Sequence, residues 1–220
     1  MRVVKLICGL IAVLAFTALA TSSAFAAETL WTWLPGKENA KFTASSKKAT
    51  LESVSKAKIT CNSSLVLTGE GLLVTAEKTL GEATIHFVGC KTLGLPVNSV
   101  GDEKEIILVT VLLHNCLIAA GDGGILFKLD TPLHLNVPTA ALLIVVSGSF
   151  IALVLEPNTD KTEWQLNIKQ TLGVQEVEKC AGGKKDTLTA STDEKPAEEA
   201  GEAIEGEASI VFAELQEAMV

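Results

Sequence analysis

Every second residue from Trp164 to Ile168 is apolar, while Glu163, Gln165, Asn167 and Lys169 between and around them are polar. A period of two places Trp164, Leu166 and Ile168 on one face of a pleated strand and the polar set on the other; a helix would scatter both sets around its axis. The alternation recurs over Gly81–Val88, with Ala83, Ile85 and Phe87 opposite Glu82, Thr84 and His86. Ile106–Leu113 is apolar on both faces except at Thr110, which predicts a central strand covered on each side. Further strand candidates are Lys58–Thr60, Leu65–Thr68, Gly71–Thr75, Gly124–Asp130, Val174–Lys179, Thr187–Ser191 and Ser209–Leu215. Helical periodicity is nearly absent. Short strands separated by glycine-containing turns predict an all-β fold: an antiparallel β-sandwich, or an irregular barrel-like sandwich, with little helix.

Ala140–Val146 and Phe150–Leu155 flank Ser147-Gly148-Ser149, the pattern of a hairpin whose glycine supplies a positive φ. The competing reading is a membrane span, because Thr139–Leu155 is 17 consecutive uncharged residues, the lower edge of what a transmembrane helix needs. The central Ser-Gly-Ser, the many β-branched side chains and the lack of a flanking basic cluster favour the hairpin.

The first 26 residues read as a secretory signal peptide that cleavage removes. Arg2 and Lys5 form the positive n-region, Leu6–Ala20 the apolar stretch, and Ala24-Phe25-Ala26 the small-x-small site before Ala27. The address implied is secreted or extracytoplasmic, at the cell surface or beyond. Residues 27–50 carry Trp31, Trp33 and Pro35-Gly36 and read as an N-terminal strand and loose linker, and 51–220 as the β-domain. Within that domain, residues 193–207 hold seven acids and one lysine together with Pro196, Gly201 and Gly206, the composition of a solvated acidic loop. Loss of Arg2 and Lys5 takes the formal charge from −8 to −10. With no clustered basic face, nucleic acid is not expected as a partner, nor is stable membrane insertion once the signal is gone.

Cys8 leaves with the signal, and it stands at the front of the apolar run instead of at its end, so no lipid anchor is expected. The even set that remains, Cys61, Cys90, Cys116 and Cys180, predicts disulfides in an oxidising compartment. Four cysteines allow three pairings that sequence does not separate; a Cys90–Cys116 bridge is preferred.

The common catalytic templates are missing: no Gly-x-Ser-x-Gly elbow, His-Glu-x-x-His, phosphate-cradling loop or dinucleotide fingerprint occurs. His114 and Cys116 share a strand face, as a zinc pair or a nucleophile–base pair would, but a bridged sulfur does neither and the disulfide reading is preferred. His86 belongs to the polar face of its strand and His134 follows Pro132 in an apolar stretch. Gly121-Asp122-Gly123-Gly124 offers one carboxylate where calcium needs six or more oxygens, so a turn is expected. Trp31 and Trp33 on one strand face are either a stacking platform for a sugar or anchors of the N-terminus on the core, and the second role is expected. Asn62-Ser63-Ser64 matches a glycosylation sequon. The chain has no tyrosine and no terminal aromatic residue, unlike outer-membrane barrels with their aromatic girdles. No catalytic residue, metal ligand or cofactor is assigned, no ligand-binding residue is identified, and no internal repeat is read.

The signal peptide, Ile59-Thr60-Cys61, Gly69-Glu70-Gly71, Phe87-Val88-Gly89-Cys90-Lys91, Thr162-Glu163-Trp164 and Glu198-Glu199-Ala200 together resemble a group of secreted all-β proteins of actinobacteria without an established activity. The resemblance implies the address and the fold class and carries no active site or cofactor. Val97 lies in the region after Cys90 where that group would have a further cysteine, so no disulfide pattern is carried over. The expectation is a secreted or cell-surface β-domain acting as a non-catalytic structural or binding module, with a partner in the cell envelope or at the surface. The alternatives are an extracytoplasmic hydrolase of glycan or ester using carboxylates such as Glu82 or Glu103, and a membrane-anchored protein spanning through 139–155.

Overall fold

The computed structural model describes residues 32–33, 40–71, 79–119, 121–156, 160–192 and 195–219, with side chains over 42–66, 81–119, 121–156 and 163–192. The signal peptide and Trp31 lie outside the described residues, as does most of the strand expected over Gly71–Thr75. In chain order the strands are β1 (Thr32–Trp33), β2 (Ala40–Ser53), β3 (Lys58–Cys61), β4 (Ser63–Gly71), β5 (Thr79–Val88), β6 (Lys91–Thr92), β7 (Leu95–Pro96), β8 (Asn98–Ser99) and β9 (Ile106–Ala119). There follow β10 (Asp122–Leu129), β11 (Leu133–Val137), β12 (Leu142–Val154), β13 (Asp160–Ile168), β14 (Gln170–Thr171), β15 (Val174–Gln175), β16 (Leu188–Thr192) and β17 (Lys195–Met219). One 3-10 turn, Pro138–Ala140, is the only helical element among the described residues.

The alternation read from sequence is what the strands bury. On β13, Trp164, Leu166 and Ile168 are buried while Glu163 and Gln165, and Lys169 just past its end, are exposed. On β5, Ala83 and Ile85 are buried and Phe87 packs against the same core. Antiparallel pairing runs β2–β4–β5–β9–β10–β12–β13–β17. Residues 208–211 of β17 lie between β13 and β2, pairing with both. The result is an all-β antiparallel sandwich of barrel-like outline whose layers curl around one apolar interior, with β14–β15 as a separate two-stranded sheet. Inside, Phe127 and Phe150 stack with centroids 4.8 Å apart and planes 3° from parallel, while Val111, Ile125 and Trp164 are almost fully covered.

Several expectations are corrected. β9 is central in the sheet but buries only Ile107, Val109, Val111 and Leu113 of its first eight residues; Ile106, Leu108, Thr110 and Leu112 stay half-exposed on the outside. The Ser147-Gly148-Ser149 segment is not a hairpin turn, and 139–155 is not a membrane-spanning helix: β12 runs through Leu142–Val154 as one strand. The reason is a change of neighbours. Before Gly148 the strand pairs with β11 and β16, after it with β10 and β13. Gly148 has φ +106, and a Cβ there would lie 2.2 Å from the Thr187 carbonyl oxygen, so the glycine serves close approach and a local twist. No helix among the described residues is long and apolar enough to cross a membrane.

The loose linker expected up to Thr50 is strand β2 from Ala40 onward, and the acidic loop of 193–207 is, from Lys195, the first half of β17. Composition misleads at both places because β17 has partners on both edges, β16 and β13 on one and β2 on the other, and backbone pairing overrides weak strand propensity. The expected Cys90–Cys116 bridge is also replaced. Cys61 joins Cys90 and Cys116 joins Cys180, since Cys61 on β3 meets the chain as it leaves β5, whereas Cys116 faces the other side of the sheet. Both bridges are compatible with an extracytoplasmic protein.

Candidate functional site

The residues singled out for chemistry do not converge. His114 and Cys116 do share a strand face, the outer one, but Cys116 is bridged to Cys180. His134 is exposed on β11, and His86 is half-buried on the outside of β5 opposite Leu65 and Leu108. Glu82 and Glu103 are both exposed. Val88 pairs with Ile106, so Glu82 and Glu103 are separated by more than six strand residues, about 20 Å at ~3.4 Å per residue. Paired glycosidase carboxylates stand at most ~9.5 Å apart. Asp122 opens β10 just after the turn at Gly121, as expected for a connection. No group of three or more His, Cys, Asp or Glu residues suited to a metal occurs among the described residues. Trp33 is in β1 beside Ala218 of β17, with its side chain outside the described set.

On the outer surface, residues 176–187 form a strap across β9, β10 and β12. The Ala181 amide donates to the Leu117 carbonyl at 2.6 Å, the Ser149 amide to Thr187 O at 3.3 Å, and Ser149 Oγ to Asp186 Oδ1 at 3.1 Å. The strap covers Cys116 and Ile151, which point away from the main core and would otherwise be bare. Gln175 is buried beside it and donates from Nε2 to the Ile151 carbonyl at 3.1 Å.

At one end of the sandwich a polar corner is built around Glu52. Its carboxylate is nearly covered, accepts from Gln170 Nε2 at 2.7 Å and pairs with Lys58 Nζ at 3.1 Å. Gln170 Oε1 in turn accepts the Gly173 amide at 2.7 Å. The Gln170 hydrogen bond, helped by Lys58, holds the Glu52 carboxyl below its ordinary value against the opposing effect of burial. These groups satisfy one another and stitch the β14–β15 hairpin to the end of β2.

The feature with room for a guest lies inside. A cavity of about 60 Å³ opens between the layers in the half of the molecule nearest that corner, lined by Ala49, Ile85, Val109, Leu135, Val146 and Phe150 among others, all apolar, with the half-cystine Cys61 at its wall. The least buried of its lining side chains, Leu51, Phe87, Leu129 and Leu133, mark where it approaches solvent. Its wall is almost wholly apolar and offers water little to hydrogen-bond. Sequence reasoning missed this cavity because every residue lining it carries the same signal as a filled core. A void is a property of how apolar side chains from β2, β3, β5, β9, β10, β11, β12 and β16 meet, and no local pattern encodes it.

No protein-family model, curated protein or solved structure matches this chain.

Proposed function

We propose that this protein is a secreted, non-catalytic binding module, working at or near the cell surface, whose interior takes a small and wholly apolar ligand such as a short alkyl chain. The apolar cavity between the layers carries this reading. Its lining has no acid, base or hydrogen-bonding side chain to orient a reacting bond, so the favourable contribution on binding is contact with apolar wall. The scattered placement of Glu82, Glu103 and the three histidines supports a role without chemistry.

Xenon provides a probe of the right size, followed by ¹²⁹Xe NMR on the protein lacking its first 26 residues. A saturable shift is expected in the wild type. Ala49→Ile, which pushes three more carbons into the void from β2, is expected to abolish the shift while leaving the unfolding midpoint unchanged or raised. A wild type with no saturable shift, or a shift that survives Ala49→Ile, would overturn the reading.

A further inference from the structure

The two disulfides are covered to different depths. Cys61 and Cys90 are both buried and both belong to the main core. Cys116 is likewise fully covered, but its partner Cys180 stands half-exposed in the strap. A thiolate arriving from solvent therefore meets the second bridge at Cys180, whereas both ends of the first lie inside the packed layers.

The strap covers buried groups without burying any residue of its own. From Glu176 to Thr187 every residue is exposed or half-exposed, and Ala181–Lys185 are exposed without interruption. Beneath it Cys116, Ser149 and Ile151 are 0%, 5% and 1% exposed. The side chains of Ile118 and Ile151 meet over Gly124, where an added Cβ would lie 3.0 Å from Ile118 Cδ1 and 3.2 Å from Ile151 Cγ2. They form a small apolar patch on the outside of the sheet, apart from the main core.

Other than the bridge, the strap is tied mainly at its ends. The Glu176 amide donates to the Lys169 carbonyl at 3.0 Å, and Ser149 bonds Thr187 and Asp186. Between these ends, one hydrogen bond among the described residues reaches the sheet, from the Ala181 amide to the Leu117 carbonyl. The Asp186 amide bonds the Glu178 carbonyl at 2.6 Å, the Gly183 amide bonds the Cys180 carbonyl at 2.9 Å, and Lys185 pairs with Glu178 at 2.7 Å. These contacts are internal; they shape an Ω-loop and do not fasten it to the sheet. A single mid-strap hydrogen bond is a small gain against the entropy of ordering the segment, so the covalent bond at Cys180 is what holds it down.

We propose that Cys180 is a thiol-exchange site, and that opening its bridge with a dithiol reductant releases the middle of the strap and bares Ile118 and Ile151. One thiolate of the reductant attacks Cys180 Sγ; the disulfide bond breaks and its electron pair leaves on Cys116, which takes up a proton. The reductant's second thiolate attacks its own sulfur in the mixed disulfide, closing a disulfide within the reductant and releasing Cys180, which is protonated in turn. Two electrons and two protons pass from the dithiol to the protein. The Cys61–Cys90 bridge and the strand pairing of β9, β10 and β12 are untouched, so the strap is the element that changes state. This inference stands apart from the cavity, whose lining includes neither isoleucine.

The test is reduction by dithiothreitol, without denaturant, of the protein lacking its first 26 residues and with them Cys8, trapped with N-ethylmaleimide and read by peptide mass. Cys116 and Cys180 are expected to be alkylated at least about tenfold faster than Cys61 and Cys90. By hydrogen exchange the amides of Trp164–Ile168 should keep their protection while that of Ala181 loses it. With glutathione in place of dithiothreitol and early trapping, the glutathione adduct is expected on Cys180 and the maleimide on Cys116. Equal or faster labelling of Cys61 and Cys90, labelling that appears only as Trp164–Ile168 lose protection, a glutathione adduct on Cys116, or a reduced protein whose Ala181 amide stays protected would each overturn the proposal.

Discussion

The hairpins β6–β7 and β14–β15 share a turn, Thr92-Leu93-Gly94 in one and Thr171-Leu172-Gly173 in the other with leucine and glycine at positive φ, and differ in everything that holds it. At β6–β7 the tip stands free: nothing lies within 4 Å of where a Cβ on Gly94 would be. That hairpin is held at its root, where Cys90 is bridged to Cys61 and Lys91 pairs with Thr60. At β14–β15 the tip itself is docked. A Cβ on Gly173 would come within 2.3 Å of the Ser53 carbonyl carbon, and Gln170 ties the hairpin to Glu52. The same tripeptide sits in both turns, while a third copy, Thr79-Leu80-Gly81, lies within β5, so the surroundings decide whether it turns and whether a hairpin is fastened covalently at its base or by polar groups along its length. The two should fail under different insults.

The largest effects come from the bridges. Replacing both Cys61 and Cys90 by alanine frees a segment spanning 29 residues, and the chain-entropy relation gives a loss of about 3.6 kcal/mol. Replacing Cys116 and Cys180 frees a span of 64 and is expected to cost about 4.3 kcal/mol. Urea unfolding measures both. Hydrogen exchange then separates them: amides of β6 and β7 should lose protection only in the first pair, and the strap amide of Ala181 only in the second. Equal deprotection of both regions in either variant would show that the β6–β7 hairpin and the strap do not have separate fastenings.

Next in size is Gly173→Ala. Its methyl group meets the backbone of Ser53 and Val54, which has no rotamer to yield, and φ at +79° is unfavourable besides; a loss of about 3–5 kcal/mol is expected. Gly94→Ala has only its φ of +83° to overcome, about 1–2 kcal/mol. Matching losses for the two alanines would remove the distinction between a docked tip and a free one.

A smaller, pH-dependent difference follows from Glu52. Its folded carboxyl is held below the ordinary value of 4.5 by the Gln170 hydrogen bond first and by Lys58 second. A group whose pKa is depressed on folding contributes stability above its unfolded pKa and loses it as pH falls through the folded value. The unfolding midpoint of the wild type should therefore drop as pH is lowered from 4.5, with β14–β15 loosening before β6–β7. Glu52→Gln should flatten that part of the profile, measured by thermal unfolding at stepped pH. An unaltered acid limb in the variant would show that Glu52 does not anchor the second hairpin.

How much of this was legible beforehand differs between levels of structure. Trp164, Leu166 and Ile168 announce their strand because one face is buried and the other wet, the condition under which alternation is written into sequence. The same condition fails for β17, where a stretch rich in Glu, Ala and Gly is a strand because its edges are paired. It fails again at Ser147-Gly148-Ser149, where a turn-like tripeptide lies within β12 because its partners change there. Cysteine pairing was underdetermined, because Cys90 and Cys116 lie on opposite sides of the sheet and the parity of β9 near Cys116 cannot be read through its continuous apolar run. The cavity left no trace at all, and Thr-Leu-Gly does not announce the two hairpin turns, because a third copy, Thr79-Leu80-Gly81, lies within β5.

The smallest expected effect tests the hairpins through Leu93 and Leu172. Asparagine tolerates positive φ better than leucine, so Leu93→Asn should raise stability by about 0.5–1 kcal/mol, there being almost no buried surface at Leu93 to lose. Leu172 is 62% exposed, so part of its side chain is packed, and the relief of strain in Leu172→Asn is offset by lost burial at ~25 cal/mol per Å². Its net change should be near zero. Because both substitutions alter the same position of the same turn, the difference between them isolates the packing that the docked hairpin has and the free one lacks. If both variants gain equally under urea unfolding, Leu172 makes no contact of consequence, and the docking of the second hairpin rests on Gly173 and the Glu52–Gln170 bond alone.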